Sequence, residues 1–296
     1  MEIVIAGSHG LIGTALSAEL RDRGHRVRRL VRRQAQGPDE VAWDPGSGRL
    51  DAHALRGADA VVNLAGANIG DWPLTAARKR EVVASRTRST SLLATALATL
   101  DAPPAVLLQA SGIGAYGDRG DTVVDESEPL GHTFFAGVVE QWEGATQPAE
   151  AAGVRVVHLR TGIVLAPRGG ALGRLLPLLR LGLGGPLGPG SQYWSWITLP
   201  DEVAAIVHLL DAPVRGPVNL VAAATTNAEL TRALAAELHR PAVLRPPAWA
   251  LRLVLGDLSQ EVLGSVRASP AKLLASGFAP RHPDVRSAAR YVTGRD

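Results

Sequence analysis

Residues Ile3 to Gly13 read IVIAGSHGLIG: a short apolar run, a glycine turn, then the start of an amphipathic helix. Nothing else in the chain restricts its architecture as much. The glycines have the spacing GxxGxxG, which suits a tight turn at Gly7, bare backbone at Gly10 and close helix–strand contact at Gly13. The first N–H groups of the helix then lack partners and lie at the positive end of its dipole. A pyrophosphate fits that environment. The sequence therefore predicts a dinucleotide cradle formed by Gly7, His9, Gly10, Leu11, Ile12 and Gly13. For His9, mid-loop, a phosphate contact and a solvent-facing position both stay open.

Strand and helix patterns alternate through the following residues. Leu11 to Arg23 carries a helical stripe closed by Gly24, and His25 to Val31 reads as a second strand. Asp59 to Leu64, Ala105 to Ala110 and Val154 to Leu159 are further apolar strands. Helical stretches at Thr75 to Leu100 and Phe134 to Ala152 separate them. This rhythm predicts an α/β fold of Rossmann type, a doubly wound parallel sheet covered on both faces. From about residue 166 glycine- and proline-rich segments break the rhythm, and a smaller, mostly helical C-terminal cap is expected over the ligand-binding edge. The expected division is a nucleotide domain over 1–220, with cap-forming insertions from about 166, and a substrate or cap region over 221–296.

The end of the second strand discriminates between the two nicotinamide dinucleotides. A carboxylate there accepts from a ribose 2′-hydroxyl, whereas arginine suits a 2′-phosphate. The chain reads LVRRQ, with Arg32 and Arg33 and no carboxylate before Asp39. NADP (NADPH) is the expected cofactor, with Arg32 at the phosphate; solvated loop arginines are the alternative.

Bulk properties exclude several classes. With 296 residues, 31 basic and 28 acidic, the chain is nearly balanced in charge, so nucleic acid is not an expected partner. It has no cysteine, which removes disulfides, thiolate nucleophiles and cysteine-bound zinc. Its histidines lack ligand spacing, so no metal site is expected. The longest apolar stretches, such as Ala171 to Leu187, are interrupted by arginine, proline and glycine, and none reads as a membrane span. A cytoplasmic protein without a secretory leader is expected.

Several segments together resemble a known group: GSHGLIG, NLAGANI, RKREVVASRTRST, SGIGAYGDRGD, LRTGIVLAPRGGAL, LGLGGPLGPGSQYWSWI and PAKLLASGF. The chain resembles the extended short-chain dehydrogenase/reductase superfamily nearly end to end, and within it the atypical branch of "epimerase family" proteins. The resemblance implies that Leu64, Ala65 and Gly66 let adenosine lie close to the backbone. It implies that Arg86 faces the active centre, with Glu81 either paired to Arg86 or meeting the cofactor; an exposed helix charge pair is the alternative. Thr161 to Val164 fall where relatives line the nicotinamide pocket.

The same resemblance implies a hydroxyl after the fifth strand, which Ser111 supplies, and a Tyr–Lys pair four residues apart on the next helix. Counting back from Glu143 puts Phe135 and Val139 at those two sites. Neither residue can donate a proton. Tyr116 is the nearest phenol, either a substitute acid or a residue packed beside the cofactor. Trp194 and Trp196 share one face of a strand, Asp201 is expected to cap the helix after it, and Asn227 to cap another with Glu229 in its first turn. An NADP-dependent oxidoreductase or epimerase-like enzyme acting on an unidentified small molecule is the leading expectation, as a monomer or homodimer. A non-catalytic NADP(H)-binding redox sensor is the rival.

Overall fold

The run Ile3–Ala6 shows no polar alternation, which requires a strand covered on both faces. A computed structural model of the chain describes residues 1–70, 74–173 and 175–295. In it the first strand, β1 (Glu2–Ala6), lies inside an eight-stranded sheet. Successive side chains of a strand point to opposite faces. Ile3 and Ile5 join one apolar cluster with Leu16 and Leu20, whereas Val4 and Ala6 join another with Leu93 and Leu97. All four of these β1 side chains are fully buried. Each large one contributes roughly 1.5–3 kcal/mol, against which the entropy of ordering the chain must be set.

The chain continues through α1 (Leu11–Asp22), β2 (Arg26–Val31), β3 (Glu40–Asp44), β4 (Arg49–Leu50), β5 (Ala60–Asn63) and α2 (Ala76–Ala98). Then come β6 (Val106–Gly112), β7 (Val123–Val124), α3 (Phe134–Gly144), α4 (Gln147–Ala151), β8 (Arg155–Thr161) and β9 (Ile163–Leu165). Next are α5 (Leu175–Arg180), β10 (Tyr193–Thr198), α6 (Leu199–Asp211), β11 (Gly216–Leu220), β12 (Ala223–Thr226) and α7 (Asn227–Glu237). The tail holds α8 (Ala248–Leu255), α9 (Ser259–Leu263), β13 (Arg267–Ala268), α10 (Ala271–Ala275) and α11 (Val285–Thr293).

The main sheet has the order β11-β8-β6-β5-β1-β2-β3-β4, and every pairing is parallel except β3 with β4. This is the expected doubly wound Rossmann-type sheet. Strand order reverses between β1 and β5, and ligands enter such sheets at the carboxyl ends beside that switch point.

The glycine turn leaves little room for side chains. Gly7 has φ +79°, and a Cβ there would lie 2.6 Å from the backbone of Leu64. A Cβ on Gly13 would lie 2.2 Å from the Gly7 carbonyl oxygen. At Gly10 the nearest atom would be that same oxygen at 3.4 Å, an ordinary contact. The fold therefore requires bare backbone at Gly7 and Gly13, whereas Gly10 is bare for another reason.

The region after residue 165 is not helices alone. β10 and β12 within it form a three-stranded sheet with β9 just before it, and β13 of the tail pairs with β7. Residue 220 ends β11, and the chain beyond it rejoins both small sheets and packs α11 on α7. Two cap expectations are corrected. Thr226, not Asn227, is the N-cap of α7, with a reciprocal bond to Glu229. Asn227 turns inward, fully buried, and accepts from the Leu187 N–H at 2.7 Å. Thr198, not Asp201, caps α6. Asp201 is fully buried and accepts from the backbone N–H groups of Arg281 and His282, tying the tail to α6. The stretch Phe134 to Ala152 is two helices, with Pro148 in the first turn of α4.

Gly13→Ala is expected to lower stability by about 1–3 kcal/mol, because backbone must move to admit the methyl group. Gly10→Ala is expected to cost less than about 1 kcal/mol. Urea unfolding of both variants checks the difference; equal losses would contradict this account of the turn.

Candidate functional site

A cavity of about 590 Å³ opens at the carboxyl ends of the strands, between the sheet and the tail. Its walls are mostly apolar, with Ile12, Leu64, Phe135, Val139, Trp142 and Trp194 among them. Ile12 comes from the glycine turn and Leu64 from the end of β5, so the cavity adjoins the switch point. Phe135 and Val139, four residues apart on α3, both face it.

Ser111, at the end of β6, also lines the cavity. Its hydroxyl donates to Glu143 Oε1 at 2.6 Å. Arg160 Nε and Nη2 hold the same carboxylate, each at 2.9 Å. Burial by itself would raise the Glu143 carboxyl, but the hydrogen bonds and charges of Arg160 and His158, with Ser111, hold it below its ordinary value. Arg160 Nη1 donates to the Tyr116 hydroxyl at 3.2 Å, and that hydroxyl donates to Asn219 Oδ1 at 2.7 Å. Asn219 Nδ2 donates in turn to the Ser269 carbonyl. A continuous chain of bonds thus joins the cavity wall to the C-terminal tail.

Tyr116 is fully buried inside that chain and does not line the cavity. Burial pushes its phenol up, against the opposing pull of Arg160. The structure separates it from Ser111's cavity face.

Arg86 lines the cavity from α2 and is 6% exposed. It donates to the Ala67 and Val82 carbonyls and stacks over Trp142, 4.9 Å from the ring. Its Nε is buried without a partner, and no carboxylate pairs with it among the described residues. Burial, with Arg78 nearby, pulls its guanidinium down to about 10. A Cβ on Gly66 would lie 3.2 Å from Arg86 Cζ, so Gly66 makes room for this side chain. Glu81 does not meet Arg86. It pairs with Arg78 at 2.6 Å and is exposed. Residues five apart on a helix lie about 140° around its axis, too far for a pair.

The remaining expected positions divide. Thr161 to Ile163 line the cavity, whereas Val164 packs on the core. Leu11 lies against Gly169 and Gly170, and Ala65 packs on the second apolar cluster. His9 is exposed, 3.4 Å from Ser8 Oγ. At the end of β2, Arg33 grips Glu40 with two bonds of 2.7 Å, and Arg29 adds a third. The Arg33 contacts hold the Glu40 carboxyl down to about 2. Arg32 is exposed and makes no side-chain bond among the described residues.

Two carboxyls escaped sequence reasoning. Glu261 on α9 reaches into the cavity from the tail. A Cβ on Gly114 would lie 3.3 Å from Glu261 Oε2 and 3.4 Å from the Phe135 Cβ, so this carboxyl sits beside the residue at the tyrosine position. Its side chain is exposed to the open cavity, and the protein packed around the carboxyl pushes it up to about 7 by displacing water. Glu202 on α6 is fully buried and accepts from Thr161 Oγ1 at 2.8 Å. Burial drives it to about 8.

A parallel doubly wound sheet, a glycine turn at its switch point and a capped cavity beside it define a Rossmann-type nucleotide-binding protein. Residues 3–223 match the NAD dependent epimerase/dehydratase family, and the chain belongs to that family. Residues 246–292 match a domain of unknown function, DUF1731. The Mycobacterium bovis epimerase family protein Mb2239 is 45% identical, covering 99% of this chain and 98% of its own. The crystal structure of human epimerase family protein SDR39U1 (isoform 2) with NADPH superposes with a TM-score of 0.91 at 33% identity, covering 99% of both chains. A nucleoside-diphosphate sugar epimerase from Corynebacterium glutamicum superposes at 0.81 with 34% identity, over 99% of this chain and 58% of its own.

Glu202 carries a pH signature. Its carboxyl ionises at about 4.5 when unfolded and about 8 when folded, so the folded state binds the extra proton between those values. Stability conferred by that proton is lost as pH rises through the window. Glu202→Gln is therefore expected to gain on the wild type steadily between pH 5 and pH 8, read as the difference in thermal midpoint. A constant difference would contradict the assignment.

Proposed function

We propose that this chain is an NADPH-dependent reductase of the atypical short-chain dehydrogenase/reductase type, acting on a carbonyl group of a small, largely apolar molecule. The free guanidinium of Arg32 carries the reading. Its neighbour Arg33 is spent on Glu40, so Arg32 alone remains at the end of β2 for a 2′-phosphate. The residues fit the rest of the cofactor. Nothing in the fold fills the space at Gly10, no side chain caps α1, and the unpaired N–H groups of its first turn suit a diphosphate. The human relative crystallised with NADPH supports the same choice.

Bound there, the dinucleotide would supply a hydride to the substrate carbon. The chain's own part is the proton. Phe135 and Val139 stand where a tyrosine and lysine would serve, and neither exchanges one. Glu261, protonated below about pH 7, gives its proton to the substrate oxygen as that oxygen takes the carbonyl electron pair. Water reaching the cavity returns it. Ser111 donates to Glu143, so toward a ligand it serves as an acceptor that orients a hydroxyl or N–H. Tyr116 is a structural brace. Arg86 offers a buried positive charge to an anionic group of the cofactor or substrate.

One observation favours a second reading, an NADP(H) redox sensor: the apolar pair Phe135 and Val139 lining the cavity. That reading requires unequal affinity for NADP⁺ and NADPH. Equal affinities by calorimetry would remove it.

Arg32→Ala is expected to weaken NADPH binding about 10–100-fold while leaving NADH binding within about threefold, the loss of one charged hydrogen-bonding contact. Calorimetry with both dinucleotides decides this. Parallel losses would contradict the phosphate assignment.

Reduction of a reactive carbonyl is expected to fall as pH rises through about 7, with that limb missing in Glu261→Gln. Arg86, Asp118 and Arg252, with the Tyr193 phenol, face the same cavity. NMR of ¹³C-glutamate-labelled protein supplies a readout independent of turnover, in which the carboxyl titrating near 7 is absent from the variant while that of Glu202, near 8, remains. An unchanged pH profile in Glu261→Gln would exclude this donor.

A further inference from the structure

Most of the exposed large apolar side chains among the described residues fall on one face of the cap. They come from two segments, 175–188 and 239–256. The segments run side by side: Gly188 N–H donates to the Pro246 carbonyl, and Arg240 Nε to the Arg180 carbonyl. α8, with sequence AWALRLVL, has no buried residue. Trp249 and Leu253, one turn apart on the same side of that helix, are 69% and 79% exposed. Leu181, Leu183, Val243 and Leu244 extend the patch. Single apolar residues on a surface are ordinary, but a contiguous group marks an interface.

Its charge selects the partner. Neither segment contains an aspartate or glutamate, whereas Arg180, Arg240, Arg245 and Arg252 are all exposed. The acids next along the chain are engaged elsewhere, Glu237 with Arg290 and Asp257 with Lys79. A second copy of this face would oppose arginine to arginine with no carboxylate between them. An anionic phospholipid surface meets both features at once, with headgroup phosphates for the guanidinium groups and an acyl boundary for Trp249 and Leu253. No helix among the described residues is long and apolar enough to cross a membrane, so the contact is peripheral.

We propose that this face of the cap docks on an anionic phospholipid surface, with α8 lying in the interface plane. Arg252 also lines the cavity, which sets the cavity beside the lipid-facing surface. The contact is independent of the dinucleotide and of any turnover.

Co-sedimentation of the full chain with phosphatidylcholine vesicles, and with vesicles also containing phosphatidylglycerol, tests it. Binding is expected to be at least about tenfold tighter to the anionic vesicles and to weaken with added salt. The Trp249→Glu/Leu253→Glu double variant is expected to lose at least about tenfold, and Arg245→Glu about fivefold. Both variants are expected to keep the wild-type thermal midpoint and NADPH affinity. Equal binding to the two vesicle types, no binding to either, or unchanged binding by Arg245→Glu would overturn the proposal. So would a wild-type dimer in analytical ultracentrifugation that the double variant dissolves, because the patch would then be covered by a second copy.

Discussion

Three pieces of backbone approach one another at the glycine turn more closely than any side chain would permit. Gly7 lies against Leu64, and Gly13 lies against the Gly7 carbonyl. This contact fixes the end of β1, the start of α1 and the end of β5 as one unit. The positive end of α1 is thereby aimed at the crevice where strand order reverses. Without it, Ile12 and Leu64 would not share a cavity wall.

The second organising feature is polar. A buried carboxylate–guanidinium pair is expensive to desolvate and is weak evidence of stability by itself. In Glu143 and Arg160 the cost is offset by further bonds from Ser111 and to Tyr116, so that each group is satisfied. The result is positional. Ser111 is oriented at the cavity wall, and Asn219 carries the same chain of bonds to the tail. The tail in turn supplies Glu261 to the cavity. The cavity to which α3 presents Phe135 and Val139 thus also receives a carboxyl from a distant part of the chain.

The parts of this arrangement that sequence made legible are those with local causes. Apolar runs without alternation marked the buried strands, and the GxxGxxG spacing marked the turn. The LVRRQ segment pointed to Arg32 for the phosphate, and what folding adds is that Glu40 engages Arg33. Local competition explains the misplaced caps. In Thr225–Thr226–Asn227 each residue can cap, and burial of Asn227 against Leu187 decides for Thr226. Before α6, Pro200 was the signal that the helix had already begun at Asp201. Glu261 had no signal at all. Its meaning comes from α9 lying against Gly114 and Phe135, more than a hundred residues earlier, which no local pattern encodes.

In the proposed reading an NADPH cradle adjoins a cavity in which Glu261 replaces a missing phenol. A crystal structure of the chain soaked with NADPH tests that union most directly. It should show the diphosphate on the first N–H groups of α1, the 2′-phosphate against Arg32, and C4 of the nicotinamide facing the space between Ser111 and Glu261. NADPH bound elsewhere, or C4 turned away from that space, would contradict it.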